Sequence, residues 1–348
     1  MRPSDKQAEN QLGMVMDLNK CIGCHTCTMA CKRLWTRGEG MEHMWWNTVN
    51  TKPGKGTPRD WEKMGGGFKD GVAQPGHLPT KEEFGEAWEF NSKELFFEGK
   101  GAKGKLEIKG EQPDWGPNWD EDQGAGEYPD NYYFYLPRIC NHCSDPACLA
   151  ACPRKAIEKN SDNGIVTINA DRCRGYRFCM SACPYKKIYL NHQTGITEKC
   201  IFCFPRVEKG VAPACARQCP GRVRFVGYTN DMDAPIGKLI HEWKVALPLH
   251  PEYGTSPNVF YVPPLAPALL GKDGKPDESK PRIPNDYLVS LFGPDVLDAL
   301  ETLKGEMAKR KDTGESELMD LLIAYNWKDM FGGFDRDPET IEWVKDSA

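Results

Sequence analysis

The sequence predicts an α+β chain in which two small cysteine-rich modules are nested one inside the other, with a long irregular insertion and a partly helical C-terminal extension. Three observations predict it. Fifteen cysteines fall into four tight groups. Short β-rich runs flank them: M-V-M-D-L at Met14–Leu18, G-I-V-T-I-N at Gly164–Asn169 and V-R-F-V-G at Val223–Gly227. Finally, 34 glycines and 27 prolines in 348 residues leave room for many loops and few long regular elements.

The cysteine groups come first. Group one is Cys21, Cys24, Cys27 and Cys31, spaced C-x2-C-x2-C-x3-C. Group two is Cys140, Cys143, Cys148 and Cys152, group three Cys173, Cys179 and Cys183, and group four Cys200, Cys203, Cys215 and Cys219. Disulfides fit poorly, because the chain is long and the cysteine count odd. Zinc fits poorly, because it wants two C-x2-C pairs closing one tetrahedron. The spacing is that of bacterial ferredoxins, whose first three thiolates wrap one iron–sulfur cubane while the fourth reaches a second. The groups must therefore work in pairs, which makes two bacterial-type (2×[4Fe–4S]) ferredoxin modules.

Groups two and three are separated by the short β run Gly164–Asn169 and pair as the compact module B, residues 131–189. Groups one and four remain, and pair as module A, residues 1–35 plus 190–245. Cluster one then takes Cys21, Cys24, Cys27 and Cys219. Cluster two takes Cys200, Cys203, Cys215 and Cys31. Cluster three takes Cys140, Cys143, Cys148 and Cys183. Cluster four takes Cys173, Cys179 and Cys152.

Cluster four lacks a thiolate. In C-R-G-Y-R-F-C-M-S-A-C-P, Cys173–Pro184, Tyr176 stands where a ferredoxin has cysteine. A phenol ligates iron poorly until it is deprotonated. The expected cluster is therefore [3Fe–4S], with Tyr176 at its non-cysteine corner, beside three [4Fe–4S] clusters. A cubane completed by water or by tyrosinate is the alternative.

Residues 36–130 form the insertion. It holds half of the glycines and six of the ten tryptophans, Trp45, Trp46, Trp61, Trp88, Trp115 and Trp119. It shows no helical or strand period, and reads either as an irregular coat or as a docking surface rich in indoles. Gly65–Gly67 reads as a turn. The extension, residues 246–348, is expected to contact partners. Its first helix should open at Pro294 with Val296, Leu297, Leu300, Leu303 and Met307 on one face, either a core stripe or a partner contact. A second should carry Leu318, Leu321, Leu322 and Tyr325.

Charge excludes some classes. From Arg138 to Phe225 the net charge is +9, within a chain of −5. This basic block coincides with the cysteines and lacks a nucleic-acid reading element, so its charge is expected to offset anionic clusters rather than bind nucleic acid. No apolar run is long enough to span a membrane. The first ten residues show no export signal, which favours the cytoplasm or export on a signal-bearing partner. No nucleophile–base pair, metalloprotease helix or glycine fingerprint appears, so no substrate site is expected. His142 reads as supporting or structural, because its group already supplies four cysteines.

At these residues the chain resembles the electron-transfer β subunits of the dimethyl sulfoxide reductase superfamily. The stretches that carry it are C-R-G-Y-R-F-C-M-S-A-C-P-Y-K-K-I-Y, E-K-C-I-F-C-F-P-R-V-E-K-G, A-R-Q-C-P-G-R-V-R and W-K-V-A-L-P-L-H-P-E-Y-G-T-S-P-N-V-F-Y-V-P-P. The branch is that of nitrate, selenate and (per)chlorate reductases and of dimethylsulfide and ethylbenzene dehydrogenases. The resemblance implies a heterotrimer with a molybdenum (bis-molybdopterin guanine dinucleotide) catalytic α subunit and a cytochrome b γ subunit. Cluster one would face the molybdenum subunit and cluster four the haem. Tyr176, where nitrate reductase subunits have tryptophan, implies the periplasmic ethylbenzene/dimethylsulfide type, co-exported with its partner; the cytoplasmic face of the membrane is the alternative. Other readings are a self-sufficient iron–sulfur enzyme and a free polyferredoxin.

Overall fold

A computed structural model describes residues 10–85, 107, 124–271, 273–277 and 279–340. The order begins with β1 (Leu12–Asp17), α1 (Thr26–Trp35) and β2 (Thr48–Lys52). After the insertion come β3 (Phe134–Arg138), α2 (Ala147–Ala150), β4 (Ile157–Lys159), β5 (Val166–Ile168), α3 (Phe178–Ala182), β6 (Ile188–Leu190) and β7 (Thr197–Lys199). Then follow α4 (Phe204–Val207), α5 (Ala214–Arg217), β8 (Arg224–Tyr228), β9 (Leu247–Pro248) and β10 (Val259–Val262). The helices α6 (Asn285–Phe292), α7 (Val296–Thr313) and α8 (Glu317–Ile323) lie near the C-terminus.

The largest sheet has the order β8-β1-β10-β9. β1 is L-G-M-V-M-D with every residue buried. It reads as a continuous apolar run because both edges and both faces are covered. β8 pairs with it antiparallel, Met14 opposite Val226, and β10 parallel, Met14 opposite Val259. Two strands of this sheet, β9 and β10, come from beyond residue 246, so the first part of the C-terminal extension completes a sheet of the core.

The segment 134–199 lies between α1 and α5 in sequence, yet α1 and α5 pack together. Within that segment α2 packs on α3. Two hairpins, β4–β5 and β6–β7, flank this pair. They are built alike, from I-E-K-N-S-D-N-G-I at Ile157–Ile165 and I-Y-L-N-H-Q-T-G-I at Ile188–Ile196. In each the asparagine side chain accepts two backbone N–H groups of the turn: Asn160 from Asp162 and Asn163, Asn191 from Gln193 and Thr194. In each a glycine with φ of 70° closes the turn, Gly164 and Gly195. Asparagine turns of this kind mimic a backbone turn, and the positive φ suits glycine.

The insertion is not free of strand. β2, T-V-N-T-K, pairs antiparallel with β3 in the register Thr48 opposite Arg138. All five β2 residues are buried, so no alternation marks it in the sequence. Trp45, Trp46 and Trp61 are buried against the core, which fits a coat at these three positions; Trp88, Trp115 and Trp119 lie outside the described residues. Gly66 has φ of 106°, and a Cβ there would lie 2.6 Å from the Ala182 carbonyl oxygen, so the glycine turn lets the insertion approach α3 closely.

The helical faces differ from the sequence pattern. α7 buries Val296, Ala299 and Leu303, whereas Leu297 and Met307 are exposed. The buried stripe follows i, i+3, i+7, and Leu297 and Met307 fall to its flanks. α8 ends at Ile323, capped at its start by the Ser316 hydroxyl; Tyr325 lies beyond it and is exposed. Among the described residues no helix is long and apolar enough to cross a membrane.

Candidate metal centres

Each of four short helices carries or abuts a pair of cysteines four residues apart: Cys27 and Cys31 on α1, Cys148 and Cys152 at α2, Cys179 and Cys183 at α3, Cys215 and Cys219 at α5. A helical rise of 1.5 Å per residue separates such a pair by about 6 Å along the axis. One helix can therefore serve two neighbouring centres, and that is the arrangement seen.

Cys21, Cys24, Cys27 and Cys219 line one small cavity. Cys140, Cys143, Cys148 and Cys183 line another. Cys152, Cys173 and Cys179 line a third, with Tyr176 on its wall. Cys31 lies within electrostatic reach of Cys200, Cys203 and Cys215, the fourth set. We number the sets as first (Cys21), second (Cys31), third (Cys140) and fourth (Cys152).

All fifteen thiols are free, with no disulfide among them. Among the described residues no three His, Cys, Asp or Glu side chains converge closely enough to hold a single metal ion. Each set draws its thiols from two of the cysteine groups, the ligand pattern of a multi-iron core.

Electrostatics point the same way. Burial, then neighbouring thiols, push Cys31, Cys148 and Cys200 well up. Cys215 is pushed up to about 12, first by burial. Thiolates crowded in an apolar interior need a compensating cation, and a metal core supplies one. Cys173 departs from this pattern. Burial raises it, but the Thr197 hydroxyl, 3.4 Å from its sulfur, and the N–H groups of Gly175, Thr197 and Arg174 together hold it below the ordinary thiol value.

Further groups face the sulfurs. The Thr26 hydroxyl donates to Cys24 at 3.4 Å, the Trp35 indole to Cys203 at 3.1 Å and the Ala156 N–H to Cys152 at 3.3 Å. Arg224, 1% exposed, donates to Cys27 at 3.3 Å and to Asn47 Oδ1 at 3.0 Å. Burial opposes its charge, but Cys27, Cys215, Cys219 and Cys21 hold it charged, so it sits between the first and second sets. Lys187 is buried within reach of Cys31, Cys200 and Cys183, between the second and third sets. Its Nζ donates to the Thr48 hydroxyl at 3.0 Å. Burial, then Arg138, push its pKa well down, so the basic block places one firmly charged side chain, Arg224, and one basic side chain, Lys187, in the gaps. Sequence reading missed both, because a buried lysine in K-K-I-Y looks like any surface lysine.

The sets run in the order first, second, third, fourth. α1 and α5 link the first to the second, Lys187 and the Cys140–Cys200 neighbourhood link the second to the third, and α2 and α3 link the third to the fourth. The two ends open to solvent. Cys24 is exposed at one, and Tyr176, 57% exposed, at the other.

Comparison with known proteins agrees. A 4Fe-4S dicluster domain model matches residues 131–229, and a 4Fe-4S binding domain model matches residues 12–33. The fold and these matches define a ferredoxin-type iron–sulfur protein. The chain is 58% identical over 93% of its length to the selenate reductase subunit beta of Thauera selenatis, covering 99% of that protein. It is 56% identical to the chlorate reductase subunit beta of Ideonella dechloratans, over 93% of this chain and 99% of that one. It is 55% identical to the dimethylsulfide dehydrogenase subunit beta of Rhodovulum sulfidophilum, over 93% and 98%. The chain belongs to the family of iron–sulfur electron-transfer β subunits of dimethyl sulfoxide reductase superfamily molybdoenzymes.

Proposed function

We propose that the chain is the electron relay of a molybdenum oxidoreductase complex, holding three [4Fe–4S] clusters and one [3Fe–4S] cluster. The observation that carries this is the row of four cysteine sets with both ends at the surface. Bound clusters supply reversible one-electron chemistry. The chain's own residues hold them in line, bury all four thiols of the second set, and set their surroundings through Arg224, Lys187 and the sulfur-facing donors.

The fifteen cysteines are the proposed ligands, in the four sets already described, and Tyr176 takes the corner that lacks a thiolate. Apolar side chains are exposed at both ends: Ile22, on the wall of the first cavity, and Met29 on α1, and Phe178 beside Tyr176 on the wall of the fourth. Two exposed apolar ends suit two docked partners. We assign the first end to the molybdenum α subunit and the fourth to a cytochrome b γ subunit, making a heterotrimer. We place the complex in the periplasm, by co-export with a signal-bearing partner.

Within the branch, Tyr176 favours the ethylbenzene/dimethylsulfide dehydrogenase type. The 58% and 56% identities to selenate and chlorate reductase subunits favour a second reading, an oxyanion reductase. Co-purification and peptide mapping of the native complex test the assembly. A molybdenum-containing subunit and a haem b subunit are expected. Oxyanion reduction by the isolated chain with an artificial donor would instead make it an enzyme in its own right.

A further inference from the structure

The four sets share one backbone device. In each C-x2-C or C-x2-Tyr turn the third residue takes a left-handed conformation: Gly23 (φ 66°), His142 (44°), Gly175 (62°) and Phe202 (53°). At the two outer sets it is glycine, and nothing larger fits. A Cβ on Gly23 would lie 2.6 Å from the Tyr135 ring, and one on Gly175 2.2 Å from the Gly195 carbonyl oxygen. At the two inner sets a large ring is held in a conformation that L residues disfavour. The two rings meet edge to face, centroids 5.3 Å apart at 87°, and both are almost wholly buried. They stand where the second and third sets adjoin. Strain of this kind persists only where the surroundings enforce it, and it marks places with a role.

The two rings differ in one respect. His142 Nδ1 accepts the Val166 N–H at 3.0 Å, so that nitrogen carries no proton. The ring proton is therefore on Nε2. Lys159 Nζ binds the Cys143 carbonyl at 3.2 Å, and Lys199 Nζ the carbonyls of Val166 and Cys200, so both lysines are held close to this turn. Nε2 is buried and has no hydrogen-bond partner among the described residues. Buried donors are seldom left unpaired. His142 also lines the cavity of Cys140, Cys143, Cys148 and Cys183.

We propose that His142 donates its Nε2–H to a sulfur of the cluster held in that third cavity, and so raises the reduction potential of this cluster. The proposal rests on the reading that the cavity holds an iron–sulfur cluster. Hydrogen bonds to cluster sulfurs are a recognised lever on potential. The Phe202 ring, in the matching place at the second set, has no proton to give; the donors that face that set's sulfurs are the Trp35 indole and the Phe202 N–H. His142 acts as a positioning and tuning residue, not a ligand.

The test is a redox titration of the holoprotein followed by electron paramagnetic resonance, with iron analysis of the same sample. His142→Asn keeps an acceptor for the Val166 N–H and removes Nε2; His142→Gln keeps a donor at that reach. With iron content unchanged, the asparagine variant should move one cubane to lower potential by about ten-fold in its one-electron equilibrium, about 59 mV. The other three centres should stay in place, and the glutamine variant should restore most of the loss. Independently, histidine labelled with 15N in the unsubstituted protein should show a weak coupling to one reduced cluster. Full iron with no shift and no coupling overturns the proposal, and a shift confined to the second cluster overturns its assignment to the third. A wild-type protein short of iron defeats the underlying cluster reading instead. Should the asparagine variant fail to assemble, presence or absence of the 15N coupling decides.

Discussion

Arg224→Met removes a buried charge that touches the first set and faces the second. The guanidinium cannot lose its proton in a protein, so its charge is permanent. Its Nη2 lies 3.3 Å from Cys27 Sγ and also donates to the Asn47 side-chain oxygen. An electron arriving at a cluster adds one negative charge spread over the core. At a separation of roughly 7 Å and an effective dielectric constant of about 20, the arginine stabilises that electron by about 2.4 kcal/mol. Converted at 59 mV per ten-fold change, this is about 100 mV. Methionine has a similar reach without charge, so the first centre should fall by about that amount, and the second, facing the same guanidinium at longer range, by less. Arg224→Lys should recover much of the shift. The assay is a redox titration of holoprotein with unchanged iron content, each centre resolved by its paramagnetic signal. If the first and second potentials stay put, or if the third and fourth move instead, the assignment of Arg224 to this gap is wrong.

Other perturbations give separate readouts. Tyr176→Cys restores the ferredoxin run, and should add about one iron per chain and abolish the oxidised three-iron signal; iron analysis and electron paramagnetic resonance check both. Glu62 joins the insertion to residues beyond 246, accepting from Lys52 and from His250 at 2.8 Å. Burial raises its carboxyl, but the His250 hydrogen bond and the Lys52 charge outweigh that and hold it at about 2, against an ordinary 4.5. Its folded value lies below its unfolded one, so its stabilisation is complete above pH 4.5 and is lost as pH falls from there toward 2. Thermal unfolding across that window should show a slope that Glu62→Gln flattens, with a loss of about 3 kcal/mol at neutral pH. Trp61, fully buried beneath the Arg138 guanidinium at 3.5 Å, should cost about 3–5 kcal/mol when changed to alanine, read as a lower Tm.

Much of the site was legible because cysteines are rare and their spacing is dictated by cluster geometry. The groups at 21–31, 140–152, 173–183 and 200–219 could be read directly, and so could the missing thiolate at Tyr176. The strands at 12–17, 166–168 and 224–228 stood out as short β-rich runs beside turn residues. What escaped notice depends on burial that spacing does not reveal. β2 hides five buried residues, Lys52 among them, behind a polar sequence. β10 reads as part of a tail until it is seen beside β1. Arg224 and Lys187 look like surface cations until the cysteines around them converge. Leu297 and Met307 fit a helical stripe on paper, but the stripe that packs runs through Ala299. The repeated I-x2-N-x3-G-I of the two hairpins was visible in the sequence and is the signal that could have shown the likeness of 157–165 and 188–196. His142 and Phe202 could have been matched to Gly23 and Gly175 by aligning the four turns, but their contact could not.

Combined analysis of iron, acid-labile sulfide and zinc in anaerobically purified holoprotein, with a paramagnetic resonance spectrum of the oxidised state, tests the central claim most directly. Three four-iron clusters and one three-iron cluster predict about fifteen irons per chain, negligible zinc and one oxidised three-iron signal. Zinc in place of iron, or thiols found paired as disulfides, would contradict it.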